Sequence, residues 1–453
     1  MRTDFYAGRK EADYLNDRER QEGKEYCEAY IRFLNAAKTE RETIDEAVRI
    51  AEHAGFAPLG GRDRVRAGDK IYAINAHKSL ILAVIGDKPL DGGCSLIVAH
   101  TDSPRLDLKP APILGKNGLG YLDAHYYGSI KKYQWPTVPL ALHGIAVKKD
   151  GSKRRVVIGE SETDPIFGVT DLSTHLAGRQ MNESARDIIP GDALDLLACS
   201  DRRNGDAKAC MLDILSGQYG IEEEDLISAE FEAVPAYRAR EMGFDRGMIA
   251  AYGQDDRACV FAALRAISSL SQTGRTAICL FADKEEIGSL GNTSTQSLFF
   301  PHFLEELCEW EGCKPRHVFP SSMCLSADVI AAFDPTYPEV FGSNAAHLHH
   351  GVAIAKYRGS RGKQETNDAS AETVAFLRNV LDQNEILWQT GETGKVDEGR
   401  SQTVAHIITG YNMPAVDLAV PILSMHSPLE VTDKLDLFMA YKAYRAFLQG
   451  DAQ

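Results

Sequence analysis

The 453 residues of the chain exclude a single small module, and their net charge of −15 opposes binding to nucleic acids or anionic membranes. Hydrophobic residues make up 44% of the sequence, which allows a sizeable buried core. Because the sequence has no apolar stretch of membrane-spanning length, no signal-peptide pattern and no C-x-x-C pair among its nine cysteines, we expect a cytoplasmic protein.

The predicted elements begin with an amphipathic helix near residue 43. Thr43 and Glu46 fit a capping box at its start, and Gly55 fits a stop signal at its end. Short apolar runs that predict strands follow this helix, and they start at Ser79, Ser95, Thr276, Met323, Gly351 and Pro414. Several of these runs are continuous rather than alternating, which is typical of central strands that are covered on both faces.

Helical patterns lie between the later strands. Residues 255–270 place apolar side chains on one stripe, and residues 367–384 begin with Asn367 and Asp368 as a predicted cap. The alternation of strand and helix predicts an α/β layer structure. The stretch 104–240 is instead rich in turn signals and short β-like pieces, so we expect a second, β-rich domain inserted into the first.

The first motif that suggests chemistry is SLIVAHTDSPR. His100 and Asp102 lie two residues apart at the end of a predicted strand, so they share one face of an extended chain. Asp102 can then bond one ring nitrogen of His100 while the other nitrogen binds a metal ion. Taken alone, however, a histidine at a strand end is more often a structural residue.

Acidic residues recur at two further points. Asp255 in GQDDRAC follows a glycine-containing turn and precedes a helix, where it fits either a metal ligand or a helix cap. Glu285 and Glu286 in LFADKEEIGS end a predicted strand together. Because adjacent side chains on a strand point to opposite faces, these two converge only if the chain leaves the strand there. One of them can then bind a metal ion while the other acts as a base.

Asp328 in MCLSADVIAAFDP and His426 in PILSMHSPLEV complete a set of nitrogen and oxygen ligands without sulfur. Each also fits a turn acid or a buried histidine. Two neutral histidines, three carboxylates, two divalent ions and a bridging hydroxide would form a neutral centre, which a dry cleft tolerates. Imidazole and carboxylate ligands favour zinc, with Co²⁺ or Mn²⁺ as alternatives. We therefore expect a site for two metal ions.

Six motifs occur in the order of a known family. HTDSPR, GQDDRAC, DKEEIGS, SADV with DPTYP, GKVDEG and SMHSPLE span nearly the whole chain and resemble the M18 metalloaminopeptidases, the aspartyl aminopeptidase family, in its bacterial type. The resemblance implies a three-layer α/β catalytic domain of the aminopeptidase type, formed by residues 1–103 and 241–453. It also implies that residues 104–240 form an inserted β-rich dimerisation domain, and that dimers assemble into a tetrahedral homo-dodecamer.

The resemblance implies a role for each ligand candidate. His100 and Asp328 would hold one metal ion, and Glu286 and His426 would hold the other. Asp255 would bridge the two ions.

The resemblance also implies roles for two residues that are not ligands. A general base must lie near the water without being a metal ligand itself, which agrees with these roles. Asp102 would orient His100. Glu285 would be the general base, which takes a proton from the bridging water and later delivers it to the leaving amine.

The sequence departs from the family pattern in two places. After SAD, the stretch VIAAFDP has Ala331 and Asp334 where familiar aspartyl aminopeptidases carry histidines, so a preference for acidic amino-terminal residues does not follow from the resemblance. From the last glycine of GKVDEG the chain reads GRSQT where bacterial members often have a run of glycines, so Arg400 or Gln402 could alter the pocket wall.

Two residues outside these motifs are candidates for substrate contacts. Lys356, at the end of a predicted strand, could meet a substrate carboxylate, although a solvated lysine is the commoner case. His350 belongs to the tract HLHH, which could contact substrate or hold a further metal ion, although a polar loop is again commoner.

The sequence therefore predicts a two-metal aminopeptidase that acts on peptides. Two alternatives stay open. One is a different amide hydrolase on the same metal scaffold, such as an N-deacylase or a carboxypeptidase. The other is a non-enzymatic assembly or cargo protein that keeps the fold. The motifs of nucleotide-binding proteins and serine hydrolases are absent from the sequence.

Overall fold

Two β-sheets organise the chain, which the computed structural model describes over residues 15–200, 206–359, 361–399 and 401–450. The first sheet has twelve strands and the second has six. In chain order the strands are β1 (Ala57–Pro58), β2 (Lys70–Asn75), β3 (Ser79–Val84), β4 (Cys94–His100), β5 (Arg105–Lys116), β6 (Leu119–Tyr127), β7 (Leu140–Val147), β8 (Lys153–Ile158), β9 (Leu196–Ser200), β10 (Ala229–Pro235), β11 (Arg240–Met242), β12 (Met248–Ala251), β13 (Thr276–Ala282), β14 (Met323–Ala331), β15 (Val352–Ala355), β16 (Trp388–Thr390), β17 (Ala415–Leu423) and β18 (Glu430–Asp433).

Helices precede, separate and follow the strands of the first sheet. They are α1 (Asp17–Ala36), α2 (Glu40–His53), α3 (Ala207–Ile214), α4 (Gln254–Ser268), α5 (Phe299–Glu311), α6 (Pro315–Ser321), α7 (Ala371–Gln383), α8 (Ala405–Thr409) and α9 (Lys434–Gln449). In the described part of the chain, none of them combines the length and the apolar character that a bilayer crossing requires.

Four parallel strands form the centre of the first sheet. β13, β4, β14 and β17 lie side by side in this order, with the antiparallel strands β3 and β18 next to them. Nearly every residue of the four strands is buried, as their continuous apolar runs predict. Because parallel strands end at the same edge of a sheet, the residues at their carboxyl ends meet there.

Helices cover both faces of the first sheet. Ile97 of β4 packs into the core that α1, α2, α4, α7 and α9 form on one face. Its neighbour Val98 packs with α5, α6 and α8 on the other face. This division follows from the two-residue period of a strand. The predicted α/β class, with three layers, is confirmed.

The second sheet lies between β4 and β11 in the sequence. It is antiparallel, with the strand order β8, β7, β10, β5, β6, β9, and it has a separate core that includes Trp135, Leu142 and Phe231. Strand β5 begins at Arg105, shortly after β4 ends at His100. The second sheet therefore starts beside the edge at which the parallel strands of the first sheet end.

All six apolar runs that predict strands form strands, namely β3, β4, β13, β14, β15 and β17. The first predicted helix also exists, but its predicted start is wrong. Helix α2 begins after Thr39, whose side chain accepts a hydrogen bond from the backbone N–H of Glu42. Thr43 is instead buried within the helix, and its hydroxyl donates to the Thr39 carbonyl, so it cannot cap with Glu46.

The cap predicted for residues 367–384 is wrong as well. Helix α7 begins after Ser370, whose side chain accepts from the backbone N–H of Thr373. Asn367 donates its side-chain amide to a carbonyl of β17, and Asp368 pairs with a lysine. Several nearby polar side chains could cap this helix, and only the tertiary structure determines which of them does.

Candidate active site

The predicted site residues meet at the edge where the parallel strands of the first sheet end. His100 is the last residue of β4, Asp328 lies in the second half of β14, and His426 follows β17. Asp255 comes from the start of α4, where its backbone dihedrals are not helical. The strand ends and this helix start therefore place the four side chains in one region.

A tight turn after β13 brings Glu285 and Glu286 to the same region. The chain leaves the strand at Ala282, and Lys284 has a left-handed φ of 69°. A single 3-10 turn that contains both glutamates follows. This departure from the strand is the condition under which two adjacent glutamates can face one site.

Asp255 lies between the two histidines. Its Oδ1 is 3.2 Å from Nε2 of His100, and its Oδ2 is 3.1 Å from Nε2 of His426. Although burial favours the neutral carboxyl, the two neighbouring histidines lower the pKa of Asp255. An ionised carboxylate whose two oxygens face two different imidazoles has the arrangement of a bridging ligand.

Glu286 and Asp328 each lie near one of the two histidines. Oε1 of Glu286 is 3.3 Å from Nε2 of His426, and Oδ1 of Asp328 is 3.8 Å from Nε2 of His100. Burial, with a further contribution from the charge of Asp255, raises the pKa of Glu286 well above its usual range. In two groups the candidate ligand atoms all lie within 4.8 Å of one another: His100, Asp255 and Glu286, and His100, Asp256 and Asp328.

Both histidines present the same ring nitrogen to the site. Nδ1 of His100 lies 3.0 Å from the backbone carbonyl of Asp102, and Nδ1 of His426 lies 2.9 Å from that of Ser129. With Nδ1–H donating to a carbonyl, Nε2 carries the lone pair that a metal ion needs. The carboxylate of Asp102 is farther from His100, at 3.4 Å, than its carbonyl is.

The buried carboxylate of Asp102 holds the turn that contains the two glutamates. Its Oδ1 accepts from the backbone N–H of Glu285 and its Oδ2 from that of Glu286, each at 3.1 Å. Oδ2 also accepts from the hydroxyl of Tyr127 at 2.8 Å. Although burial opposes ionisation, the hydrogen bonds with His100 and Tyr127 keep the pKa of Asp102 below its usual range.

Glu430 is a site residue that the sequence analysis missed. Its carboxylate accepts from the backbone N–H groups of Gln254, Asp255 and His426 at 2.7, 3.1 and 2.8 Å. It therefore joins the loop of one candidate ligand to the loop of another. Glu430 belongs to the motif SMHSPLE, but a motif does not show which distant backbone groups a side chain binds.

Arg358 was also missed. Its buried guanidinium lies 3.5 Å from Oδ2 of Asp328, and its Nη1 donates to the carbonyl of Val329 and to the hydroxyl of Ser401. Its Nε and Nη2 are buried and donate to no acceptor among the described residues. A single arginine after a predicted strand has no sequence pattern that would indicate its place beside Asp328.

A cavity of about 540 Å³ opens over the candidate ligands. Glu285 lines it, and burial, with the charges of Asp328 and Asp102, raises the pKa of this glutamate to about 8 against the opposing effect of His100. The pKa of Glu285 therefore lies near neutral pH, which suits a group that exchanges protons.

The chemistry of the donors fits metal ions. Oδ1 of Asp255 and Oε1 of Glu286 are buried and have no hydrogen-bond partner within the described ranges. Buried carboxylate oxygens without donors are costly, and a divalent cation compensates them. Imidazole and carboxylate ligands without sulfur are a zinc-type set.

The two candidates for substrate contacts lie elsewhere. Lys356 is half-exposed, and its Nζ is 3.4 Å from the carboxylate of Asp368. The ring of His350 bonds to a carbonyl of its own loop. Neither residue lines the cavity, whereas Gln402 does, and Arg400 lies outside the described residues. Contacts of Lys356 and His350 with substrate stay a prediction.

The stretch that follows SAD leads away from the cavity. Ala331 is the last residue of β14, and Asp334 lies in a turn in which it accepts from the backbone N–H of Thr336. Neither residue lines the cavity.

Comparison with known proteins connects this geometry to a family. The family described as Aminopeptidase I zinc metalloprotease (M18) matches residues 33–448. The chain belongs to the M18 family. A probable M18 family aminopeptidase 1 from Clostridium acetobutylicum is 42% identical, over 97% of this chain and 97% of that protein. A relative of the same description from Thermotoga maritima is 39% identical, over 95% of this chain and 97% of that protein.

Solved structures of M18 proteins have the same fold. The crystal structure of the M18 family aminopeptidase from Thermotoga maritima matches with a TM-score of 0.92 at 38% identity and covers 98% of both chains. Aminopeptidase I from Borrelia burgdorferi B31 matches with a TM-score of 0.82 at 35% identity, over 98% of this chain and 100% of that one. The M18 resemblance is confirmed, and this M18 protein is a metallo-aminopeptidase, a hydrolase of peptide bonds. The match favours an enzyme over the non-enzymatic alternative.

Proposed function

We propose that this M18 protein uses two divalent metal ions, zinc before Co²⁺ or Mn²⁺, to remove the amino-terminal residue of peptides. The position of Asp255 carries the proposal, because its two carboxylate oxygens face the Nε2 atoms of His100 and His426 at 3.2 and 3.1 Å. A carboxylate in this position suits two ions about 3.5 to 4 Å apart, the usual spacing of paired hydrolytic metals.

The distances divide the other ligands between the two ions. Asp328 is next to His100, so we assign these two residues to one ion. Glu286 is next to His426, so we assign these two to the other ion. When bound, such ions lower the pKa of water and polarise a carbonyl group. The hydrogen bonds that hold Nδ1 of each histidine keep both Nε2 atoms directed at the ions.

We assign proton transfer to Glu285. It lines the cavity beside the candidate ligands, where a carboxylate oxygen can take a proton from the attacking water and return it to the leaving amine. Asp102 holds the backbone N–H of Glu285, which fixes the turn from which the side chain projects. Glu285 therefore stays beside the ligands without serving as one of them.

The substitution Glu285→Gln tests this role. We expect turnover of amino-terminal chromogenic amides to fall by about 10²- to 10⁴-fold, because the amide cannot accept the proton. The zinc content, measured by atomic absorption, should stay at the level of the unmodified protein. Glu365→Gln on the cavity wall is the matched control and should keep most of the activity. Retained turnover in Glu285→Gln would remove Glu285 from this role.

The preferred amino-terminal residue is part of the proposal. Arg358 lines the cavity with a guanidinium that stays charged, and this positive charge favours a substrate carboxylate. We expect a library of amino-terminal residues to show faster release of acidic residues than of basic ones. Hydrolysis of N-acyl amino acids without release from free-amine peptides would instead favour the deacylase alternative.

Assembly is proposed on the exposed surface of the segment that contains the second sheet. We propose that residues 104–240 form a dimerisation domain, that residues 1–103 and 241–453 form the catalytic domain, and that dimers build a homo-dodecamer. The segment exposes large apolar side chains, a feature of interfaces, at Ile166, Leu172, Leu176 and Met181. A solved structure of the aminopeptidase mApe1 of S. cerevisiae, with the same fold, is described as a dodecamer.

A further inference from the structure

One short segment of the second sheet reaches the candidate metal ligands of the first. Strand β5 starts at Arg105, just after the motif that contains His100 and Asp102, and β6 returns antiparallel to it. The register pairs Arg105 with Tyr127, the last residue of β6. The hairpin therefore brings its end back to the place where it left the first sheet.

The side chain of Tyr127 is held from both sides. Its hydroxyl donates to Oδ2 of Asp102 at 2.8 Å, and the guanidinium of Arg105 lies 4.0 Å from the centre of its ring. Arg105 is itself buried and paired with Asp107 at 2.7 Å and Glu232 at 3.4 Å, which lie on β5 and β10. In a different rotamer, Tyr127 would lose both the hydrogen bond to Asp102 and the contact with Arg105.

Gly128 lies directly against Glu286. Its φ is +76°, and a Cβ at this position would be 3.2 Å from Oε2 and 3.3 Å from Cβ of Glu286. These distances are shorter than ordinary carbon contacts, so a side chain here would displace the glutamate by a few tenths of an ångström. The main chain at Gly128 thus limits where the carboxylate of Glu286 can lie.

Ser129 fixes the second histidine. Its carbonyl accepts from Nδ1 of His426 at 2.9 Å, which directs Nε2 at Asp255 and Glu286. Three consecutive residues of one segment therefore contact Asp102, Glu286 and His426.

We propose that Tyr127–Ser129 is a positioning segment through which the second sheet sets the geometry of the catalytic centre. This inference rests on the proposed function of that centre. The segment acts by fixing the side chains of Asp102, Glu286 and His426. Groups that orient metal ligands usually alter metal affinity or activity by 10- to 100-fold when they are removed. The geometry of the candidate metal ligands at the edge of the first sheet thus depends on a segment that belongs to the second sheet.

The first test compares Tyr127→Phe with Tyr126→Phe. Both substitutions remove one phenol hydroxyl from β6, but Tyr126 is exposed and does not contact the site. We expect Tyr127→Phe to lower kcat about tenfold or more with little change in KM, and to weaken zinc binding in competition with a chelator about tenfold. Tyr126→Phe should match the unmodified protein in all three quantities.

The second test compares Gly128→Ala with Gly118→Ala. Both glycines have a positive φ, +76° and +78°, so both substitutions add backbone strain. A Cβ at Gly118 would meet nothing within 4 Å, whereas one at Gly128 would meet Glu286. We expect weakened zinc binding and lowered kcat in Gly128→Ala alone, and a loss of thermal stability in the metal-free forms of both.

Zinc affinity keeps this inference separate from the proposed function. If the unmodified protein released no amino-terminal residue, the proposed function would fail, while the zinc competition would still report on the segment. The inference is overturned if Tyr127→Phe stays within about twofold of Tyr126→Phe in both zinc affinity and kcat, or if it loses only stability. Should Gly128→Ala fail to fold, the tyrosine pair decides alone.

Discussion

Buried carboxylates have two different tasks at the residue scale. Asp255 and Glu286 have oxygens without hydrogen-bond donors, which suits cations. Asp102 and Glu430 instead accept backbone N–H groups of the loops that hold those residues. Removing such an acceptor leaves several buried donors unpaired, which costs more than the hydrogen bonds contribute on average.

The substitution Glu430→Gln tests this second task. Its carboxylate accepts three N–H groups through two oxygens, whereas an amide has only one acceptor oxygen and sets N–H against N–H. We expect the free energy of unfolding, measured by urea denaturation, to fall by about 1 to 3 kcal/mol and zinc binding to weaken. Glu306→Gln on the exposed face of α5 is the control and should change neither. Unchanged stability of Glu430→Gln would contradict the role of Glu430.

The sequence predicts the candidate ligands better than the residues that hold them. His100, Glu286 and His426 each follow a buried apolar run, and parallel strands bring such positions to one edge. Tyr127 and Glu430 bind groups far away in the chain, and no local pattern marks such contacts. A single sequence therefore indicates candidate ligands but not the residues that hold them in place.

At the element scale, helix α2 is tied to the second sheet by a buried charged cluster. Nδ1 of His143, on β7, is 2.9 Å from Glu42 of α2, and its Nε2 is 3.1 Å from Glu160. Lys38 pairs with Glu160 as well, at 2.6 Å. Although burial opposes it, hydrogen bonds with Glu160 and Glu42 raise the pKa of His143. The same contacts lower the pKa values of both glutamates against the effect of burial.

These shifts give the cluster a defined pH dependence. Because the pKa of His143 is raised in the folded protein, its full contribution to stability is present below the ordinary histidine pKa of about 6.5. This contribution is lost as the pH rises through the pKa of the folded state. Because the pKa values of Glu42 and Glu160 are lowered, their full contribution to stability is present above about pH 4.5. That contribution is lost as the pH falls through the pKa values of the folded state. The cluster therefore stabilises the protein most between about pH 4.5 and 6.5.

The substitution His143→Gln tests this dependence. As the pH rises from 6 to 9, we expect the melting temperature to fall more for the unmodified protein than for His143→Gln. The variant has no imidazole proton to lose in this range. Differential scanning fluorimetry at fixed zinc concentration measures both. His302→Gln, at an exposed position of α5, should follow the unmodified protein. Parallel curves for the unmodified protein and His143→Gln would contradict the account.

The elements themselves follow closely from the sequence, but their ends do not. Continuous apolar runs predict β4, β13 and β17 because central strands are buried on both faces. The starts of α2 and α7 depend on which of several polar side chains faces the first turn, and the pattern favours Thr43 and Asn367 over the actual caps, Thr39 and Ser370.

At the scale of the whole molecule, the segment 104–240 both contacts the candidate active site and exposes apolar side chains. Tyr127 of this segment donates its hydroxyl to Asp102 in the candidate active site. The region between β8 and β9 exposes Leu176 at 75% of its surface and Met181 at 69%. The proposed dimerisation surface would cover these side chains.

The substitution Leu176→Asp tests the assembly. A charge at this exposed apolar position should weaken the dimer, and light scattering after size exclusion should show a smaller mass than for the unmodified protein. Ser173→Asp adds the same charge at a nearby exposed polar position and should keep the mass. An unchanged mass for Leu176→Asp would place the interface elsewhere.

The pairing of two ions across Asp255 is the claim on which the account depends most. Anomalous X-ray diffraction at the zinc absorption edge, from crystals of the protein prepared with zinc, tests it directly. We predict two peaks about 3.5 to 4 Å apart on either side of Asp255, one beside His100 and Asp328 and one beside His426 and Glu286. A single peak, or peaks out of contact with Asp255, would contradict it.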